Sequence, residues 1–180
     1  GKLARLAEAL QTEPLPPSLT GIGHTRWATH GGPTDANAHP HLGGGGALAV
    51  VHNGIIENFA ALKAELVAAG AEFSSETDTE VAAHLLAREY ARTRDLPEAM
   101  RAVVQRLNGA FTLLALHADV PGVIVAARRN SPLVVGLGEG ANYLGSDVAA
   151  FIAHTREAIE LGQDQVVTIT ADQVLVTDFL

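Results

Sequence analysis

The sequence predicts an α+β fold in which strands and helices are grouped rather than alternated. Three observations carry that expectation. A strongly apolar stretch, Ala47–Asn53, is followed by three successive segments with helical periodicity, and the remainder is rich in short apolar runs bounded by turn residues. Grouped strands and helices favour a layered α+β sandwich over a doubly wound parallel sheet. With 180 residues, of which 47% are apolar, the chain is long enough for a single domain with a substantial core, taking roughly 150 residues per domain as a guide.

The elements follow in order. Leu3, Leu6 and Leu10 have helical spacing, so residues 1–10 form a short helix. Pro14, Pro16 and Pro17 then force an extended connector. Leu19–Thr25 reads as a strand, and His41 to Gly46, with four consecutive glycines, as a loop. Ala47–Asn53 is a strand ending in the turn signal Asn53-Gly54. The first helix after it carries Phe59, Leu62 and Leu66 on one face, with Gly70 suited to close it. The second starts at Thr77 or Asp78 and carries Val81, Leu85 and Leu86. The third starts at Asp95, with Glu98 three residues on as in a capping box, and its stripe is Leu96, Met100, Val103 and Leu107. Strands are expected at Ala110–His117, Gly122–Ala127, Leu133–Leu137, Asn142–Leu144, Val166–Thr170 and Val174–Thr177, with a short helix around Val148–Ile152.

Charge and composition exclude several functions. The net charge of −8 and the scattered Lys and Arg argue against nucleic acid and against an anionic membrane surface. No apolar run is long enough to span a bilayer, no signal-peptide core opens the chain, and the absence of cysteine excludes disulfides and thiolate metal sites. A cytoplasmic location is the expectation.

Four blocks carry the chemistry: His24-Thr25-Arg26-Trp27-Ala28-Thr29-His30-Gly31, Asn37-Ala38-His39-Pro40-His41, Val51-His52-Asn53-Gly54-Ile55-Ile56-Glu57-Asn58 and Ser75-Glu76-Thr77-Asp78-Thr79-Glu80. Arg26 offers the planar fork that grips a carboxylate, or serves as a surface arginine in an ion pair. Asp78 suits an ammonium ligand, or caps the helix that begins there; Thr77 can take the cap and leave Asp78 free. Asn53 and Gly54 suit an oxyanion, or form a hairpin turn. The lone Trp27 is by default a core residue. His30, His39 and His41 raise a metal site, but no carboxylate or thiol falls at a recognisable ligand spacing, so no metal is expected. Gly43–Gly46 lacks the Lys-Ser/Thr of a phosphate loop.

In this order the blocks closely resemble the glutaminase domains of the glutamine–fructose-6-phosphate aminotransferases, the glucosamine-forming branch of the N-terminal-nucleophile (class II) amidotransferases. Arg128–Asn130-Ser131-Pro132-Leu133-Val134-Val135-Gly136 and Gly145-Ser146-Asp147 extend the resemblance over nearly the whole chain. The resemblance implies a four-layer αββα sandwich of the Ntn-hydrolase type. It implies an oxyanion hole at Asn53 and Gly54, and L-glutamine or L-glutamate held by Arg26, Trp27, Thr29, His30, His39 and Asp78, with no cofactor. It also implies an N-terminal cysteine nucleophile, sugar-isomerase domains and a homodimeric full enzyme. The sequence has no cysteine and opens Gly1-Lys2-Leu3. The expectation is therefore an N-terminally truncated amidotransferase domain over residues 1–180, inactive alone without its nucleophile. A non-catalytic amino-acid-binding domain of the same fold is the alternative.

Overall fold

The computed structural model describes residues 2–180. Two antiparallel sheets form the centre. The first has six strands in the order β1-β2-β3-β4-β8-β9: His41–Gly43, Leu48–Ile56, Gly109–His117, Ile124–Arg129, Gln165–Ile169 and Val174–Asp178. The second has three, β6-β5-β7: Asn142–Gly145, Val134–Leu137 and Ala158–Glu160.

Three helices, α2 (Phe59–Ala68), α3 (Asp78–Thr93) and α4 (Leu96–Val104), form one layer on the first sheet. Their apolar stripes explain the packing. Val81, Leu85 and Leu86 of α3 and Leu96, Met100 and Val103 of α4 meet Leu48, Val50, Phe111, Leu113 and Val125 of the sheet in one buried cluster. Each such side chain contributes about 1.5–3 kcal/mol when fully buried. The caps are local: Thr77 accepts from the Glu80 N–H, and Asp95 from the Glu98 N–H. Thr77 thus takes the N-cap of α3.

Ala126, Val167 and Ile169 point from the other face of the first sheet toward Leu133, Val135 and Leu161. This second cluster joins the sheets, giving the layer order helix, sheet, sheet. The outer face of the second sheet is covered by the 3-10 turn Val148–Ala150 and by Phe151, whose ring lies so close to Gly136 that a Cβ there would come within 2.6 Å of it.

Three expectations are corrected. Leu19–Thr25 forms no strand: no neighbouring strand offers it a ladder, and Leu19 is fully exposed. His41 to Gly46 is ordered as β1 and a 3-10 turn, because His41 pairs with Val50 and Gly43 with Leu48. β2 does not stop at Asn53; it runs on to Ile56, with Asn53 opposite Thr112 and Gly54 opposite Phe111, so Asn53-Gly54 is no hairpin turn. Strand β7 went unanticipated. The short leading helix is present as α1 (Leu3–Thr12), but none of its residues is buried.

Candidate functional site

β2 changes character along its length. Val50, Val51 and His52 are buried, whereas Asn53, Gly54 and Ile55 are exposed. β1 pairs only with Leu48–Val50, so the edge of β2 beyond it has no strand neighbour. Two other pieces meet that edge. The start of α3 arrives through Asp78, whose Oδ2 accepts from the Ile56 N–H at 2.8 Å. The segment before residue 34 arrives through His24, whose Nε2 lies 2.6 Å from Asn53 Oδ1.

Between these pieces lies a cavity of about 370 Å³. Its lining includes Arg26, Trp27, Thr29, His39, Asn53, Gly54 and Asp78. Seven of the eight singled-out residues therefore share one space. His30 does not line it; its ring packs on Phe59 at 4.5 Å between centroids. Trp27 is 88% exposed, which removes the core reading for this tryptophan.

Arg26 makes no ion pair among the described residues. Its guanidinium donates to three backbone carbonyls, of His30 and Gly32 at 2.7 Å and of Gly31 at 3.1 Å. The loop thereby wraps around a fixed cation, and the remaining N–H groups of the five are left for other partners. Asn37 ties the same loop to the approach of α3: it donates to the Gly32 carbonyl and accepts from the Glu76 N–H. Gly31 has φ +78 and a Cβ there would meet Asn37 Nδ2 at 2.5 Å, so glycine is required for this closure.

Asn53 is fastened on both sides. Its Oδ1 accepts from His24, so His24 carries its proton on Nε2; its Nδ2 donates to Ser146 Oγ at 2.8 Å. Gly54 has φ +110, and a Cβ would lie 2.1 Å from the Ala110 carbonyl oxygen, so no other residue fits this strand position.

One side of the cavity is lined by a polar cluster that the sequence alone left unlinked. Thr79 Oγ1 is 2.9 Å from both His39 Nε2 and His52 Nδ1. His39 stacks on His24 at 4.2 Å. Burial, with further lowering from the neighbouring histidines and Arg26, holds His39 down at about 3. Burial also lowers His52 to about 4, against the opposing pull of the Asp78 carboxylate. His41, also lowered chiefly by burial, contacts Thr77 Oγ1 at 2.8 Å. The rings are therefore neutral near pH 7. Glu80 is stabilised as a carboxylate: burial pushes it up, but hydrogen bonds from Ser75 and the Ser74 and Ser75 backbone prevail and lower it. Thr79, His52 and Ser146 were missed as partners of the site; their positions follow from strand register and from the folding of distant segments.

A family model for the glutamine amidotransferase domain matches residues 24–153. The chain belongs to this family. This amidotransferase domain is 69% identical over 179 residues to the glutamine–fructose-6-phosphate aminotransferase (isomerizing) of Streptomyces coelicolor, a match covering 99% of the chain and 29% of that protein. It is 68% identical to the protein of the same name from Leifsonia xyli subsp. xyli, with the same coverage. The domain thus spans less than a third of these relatives' length. Among solved structures, glutamine phosphoribosylpyrophosphate amidotransferase from B. subtilis superposes with a TM-score of 0.71 at 25% identity, covering 87% of this chain and 34% of that one. The antiparallel two-sheet architecture and this likeness give the amidotransferase domain the Ntn-type sandwich fold. No helix among the described residues is long and apolar enough to cross a membrane.

Proposed function

We propose that this amidotransferase domain is the glutaminase half of a glucosamine-6-phosphate synthase, binding L-glutamine and supplying its amide nitrogen as ammonia to fructose 6-phosphate. The observation that carries this reading is the convergence of Arg26, Asp78, Asn53 and Gly54 on one cavity. An α-amino acid presents a carboxylate and an ammonium at fixed separation. Arg26 supplies a cation whose guanidinium is only partly used by the loop carbonyls, and Asp78 supplies the opposite charge. The side-chain amide of the substrate then lies toward β2. There the Asn53 amide and the Gly54 N–H donate to the oxyanion that forms when a nucleophile adds to the amide carbon. Trp27, Thr29 and His39 complete the lining of the cavity.

Attack requires a thiolate or its equivalent, and these 180 residues contain no cysteine. The nucleophile in this reading comes from residues outside them, as do the sugar-isomerase domains and the homodimeric contacts. The domain as it stands binds glutamine without turning it over. Calorimetric titration with L-glutamine, using D-glutamine as control, tests this. Saturable binding of the L-enantiomer alone, without ammonia release, is expected. A folded domain that binds neither enantiomer refutes the reading.

A further inference from the structure

The hydroxyl of Thr79 lies between two buried imidazoles, and it has a single proton to share. Both contacts are 2.9 Å, one to His39 Nε2 and one to His52 Nδ1. The oxygen could accept from two N–H groups, but among the described residues its own proton has no acceptor other than these two ring nitrogens, so one ring presents N–H to it and the other a lone pair. Only two arrangements satisfy this with neutral rings. Either both histidines carry their proton on Nε2, or both carry it on Nδ1. Mixed tautomers leave the hydroxyl facing two N–H groups or two lone pairs.

The unpartnered atoms do not decide between the two. His39 Nδ1 and His52 Nε2 are both buried without a hydrogen-bond partner among the described residues, and each arrangement leaves one of them as N–H and the other bare. The carboxylate of Asp78 does decide. Its Oδ1 lies 3.9 Å from His52 Nδ1, while its Oδ2 is held by the Ile56 N–H. A buried lone pair facing a carboxylate at that distance is repelled, and an N–H is attracted, in surroundings that screen neither strongly.

We infer that Thr79 is a positioning residue: its hydroxyl locks His39 and His52 together in the Nδ1–H tautomer, with the His52 N–H directed between Thr79 and Asp78. His24 is the opposite case, with its proton on Nε2 to serve Asn53. The lock matters for the site because it aims the His52 N–H, not a lone pair, at the Asp78 carboxylate. Asp78 is thereby held in place for a ligand ammonium. In this respect the inference rests on the glutamine-binding reading above. The groups that face the pair are Asp78 from α3, His41 from β1, and His24, Arg26 and His30 from the segment preceding residue 34. Apart from Asp78, the facing groups are bases or cations, and they add to the burial that keeps both rings uncharged.

Removing the hydroxyl leaves the His52 N–H with Asp78 as its remaining neighbour. The His39 Nε2 lone pair then has no donor, and nothing ties the tautomer of that ring to the tautomer of His52. The test is long-range proton–nitrogen NMR of the histidine rings in the folded 180-residue domain, free and with L-glutamine, from pH 6 to 8. The wild-type spectra are expected to show His39 and His52 neutral with the proton on Nδ1, and His24 with the proton on Nε2. In T79V, His39 is expected to lose its single tautomer and show a mixture of Nδ1–H and Nε2–H forms, while Asp78 still favours Nδ1–H on His52. T79S restores the single tautomer. A wild-type His39 or His52 carrying its proton on Nε2 overturns the inference, whether or not T79V folds. So does a T79V protein whose ring spectra match wild type. Correct tautomers in a domain that binds no L-glutamine support the lock and overturn the functional reading alone.

Discussion

The two walls of the cavity are built by different means. One wall, β2 and the start of α3, is secondary structure: Gly54 is pinned opposite Phe111 in a nine-residue ladder, and Asp78 is fastened to the Ile56 backbone and nearly buried. The other wall, residues 23–32, has no helix or strand at all. It is shaped by one guanidinium holding three carbonyls and by Asn37 behind it. The contrast separates two ways of placing a charged group. The first wall takes its geometry from the core, and its residues cannot change without cost to the fold. The second takes its geometry from a side chain it carries, so Arg26 organises the loop that presents it.

This comparison predicts where substitutions strike. The largest effect falls on the ladder wall. Gly54→Val sets a side chain against the Ala110 carbonyl at a positive φ, and the expected loss is about 3 kcal/mol or more of unfolding free energy, read by urea denaturation. A stable Gly54→Val protein means that this strand can shift, and the rigid wall is then no wall. Next is Arg26→Ala. Here the unfolding midpoint should move little, because the loop lies outside the core, while L-glutamine affinity drops by about 2–3 kcal/mol or more as a charge-assisted pair is lost. Arg26→Lys should fail to restore it, since an ammonium cannot reproduce the planar fork that serves both loop and ligand. An Arg26→Ala protein with wild-type affinity breaks the comparison outright.

Acid provides a milder probe of the ladder wall. His39 and His52 sit at about 3 and about 4 in the folded domain, below the ordinary value of 6.5. Between those values the unfolded chain binds more protons than the folded one. Stability is thus complete above pH 6.5 and declines as pH falls through the window toward 4. Carboxylates such as Glu80, also lowered in the fold, lose their contribution only below their ordinary 4.5. Thermal melts at pH 7.5, 6.5 and 5.5 should therefore show a falling midpoint over the last step, reduced in a His39→Gln protein; a flat profile there contradicts the neutral cluster. The smallest effect belongs to neither wall. Glu65 bridges Arg88 and Arg106 at the exposed surface, and Glu65→Gln should leave both binding and unfolding unchanged within error at physiological salt.

Legibility in the sequence followed the range of the forces involved. α3 and α4 could be read because their caps and stripes are contained within a few residues: Thr77 with Glu80, Asp95 with Glu98, Leu96 with Met100 and Val103. β1 was hidden because three residues among glycines carry no pattern, and they become a strand only when Val50 pairs with His41. β7 is three exposed residues, recruited by the edge of β5. Leu19–Thr25 shows the reverse, a strand-like composition with no neighbour to pair with. The gathering of Arg26, Asn53 and Asp78 at one cavity was legible because their types and motif context single them out together. His30 had the same motif context, yet the fold turns it onto Phe59. The links from Asn53 to Ser146 and from Thr79 to two histidines were not legible, because register and layer packing create them.

The bond between Asn53 and Ser146 spans 93 residues of sequence and joins β2 of the first sheet to the end of β6 in the second. A short amide clamped between two layers works as a gauge of their alignment. Its 2.8 Å contact tolerates only a few tenths of an ångström before it ceases to be a hydrogen bond. Any slide of the three-stranded sheet is therefore registered first at this amide, well before the apolar seam of Ala126, Val135 and Val167 comes apart. The domain's readiness for chemistry is in this sense a measurement, made by one side chain, of whether its two sheets are in place.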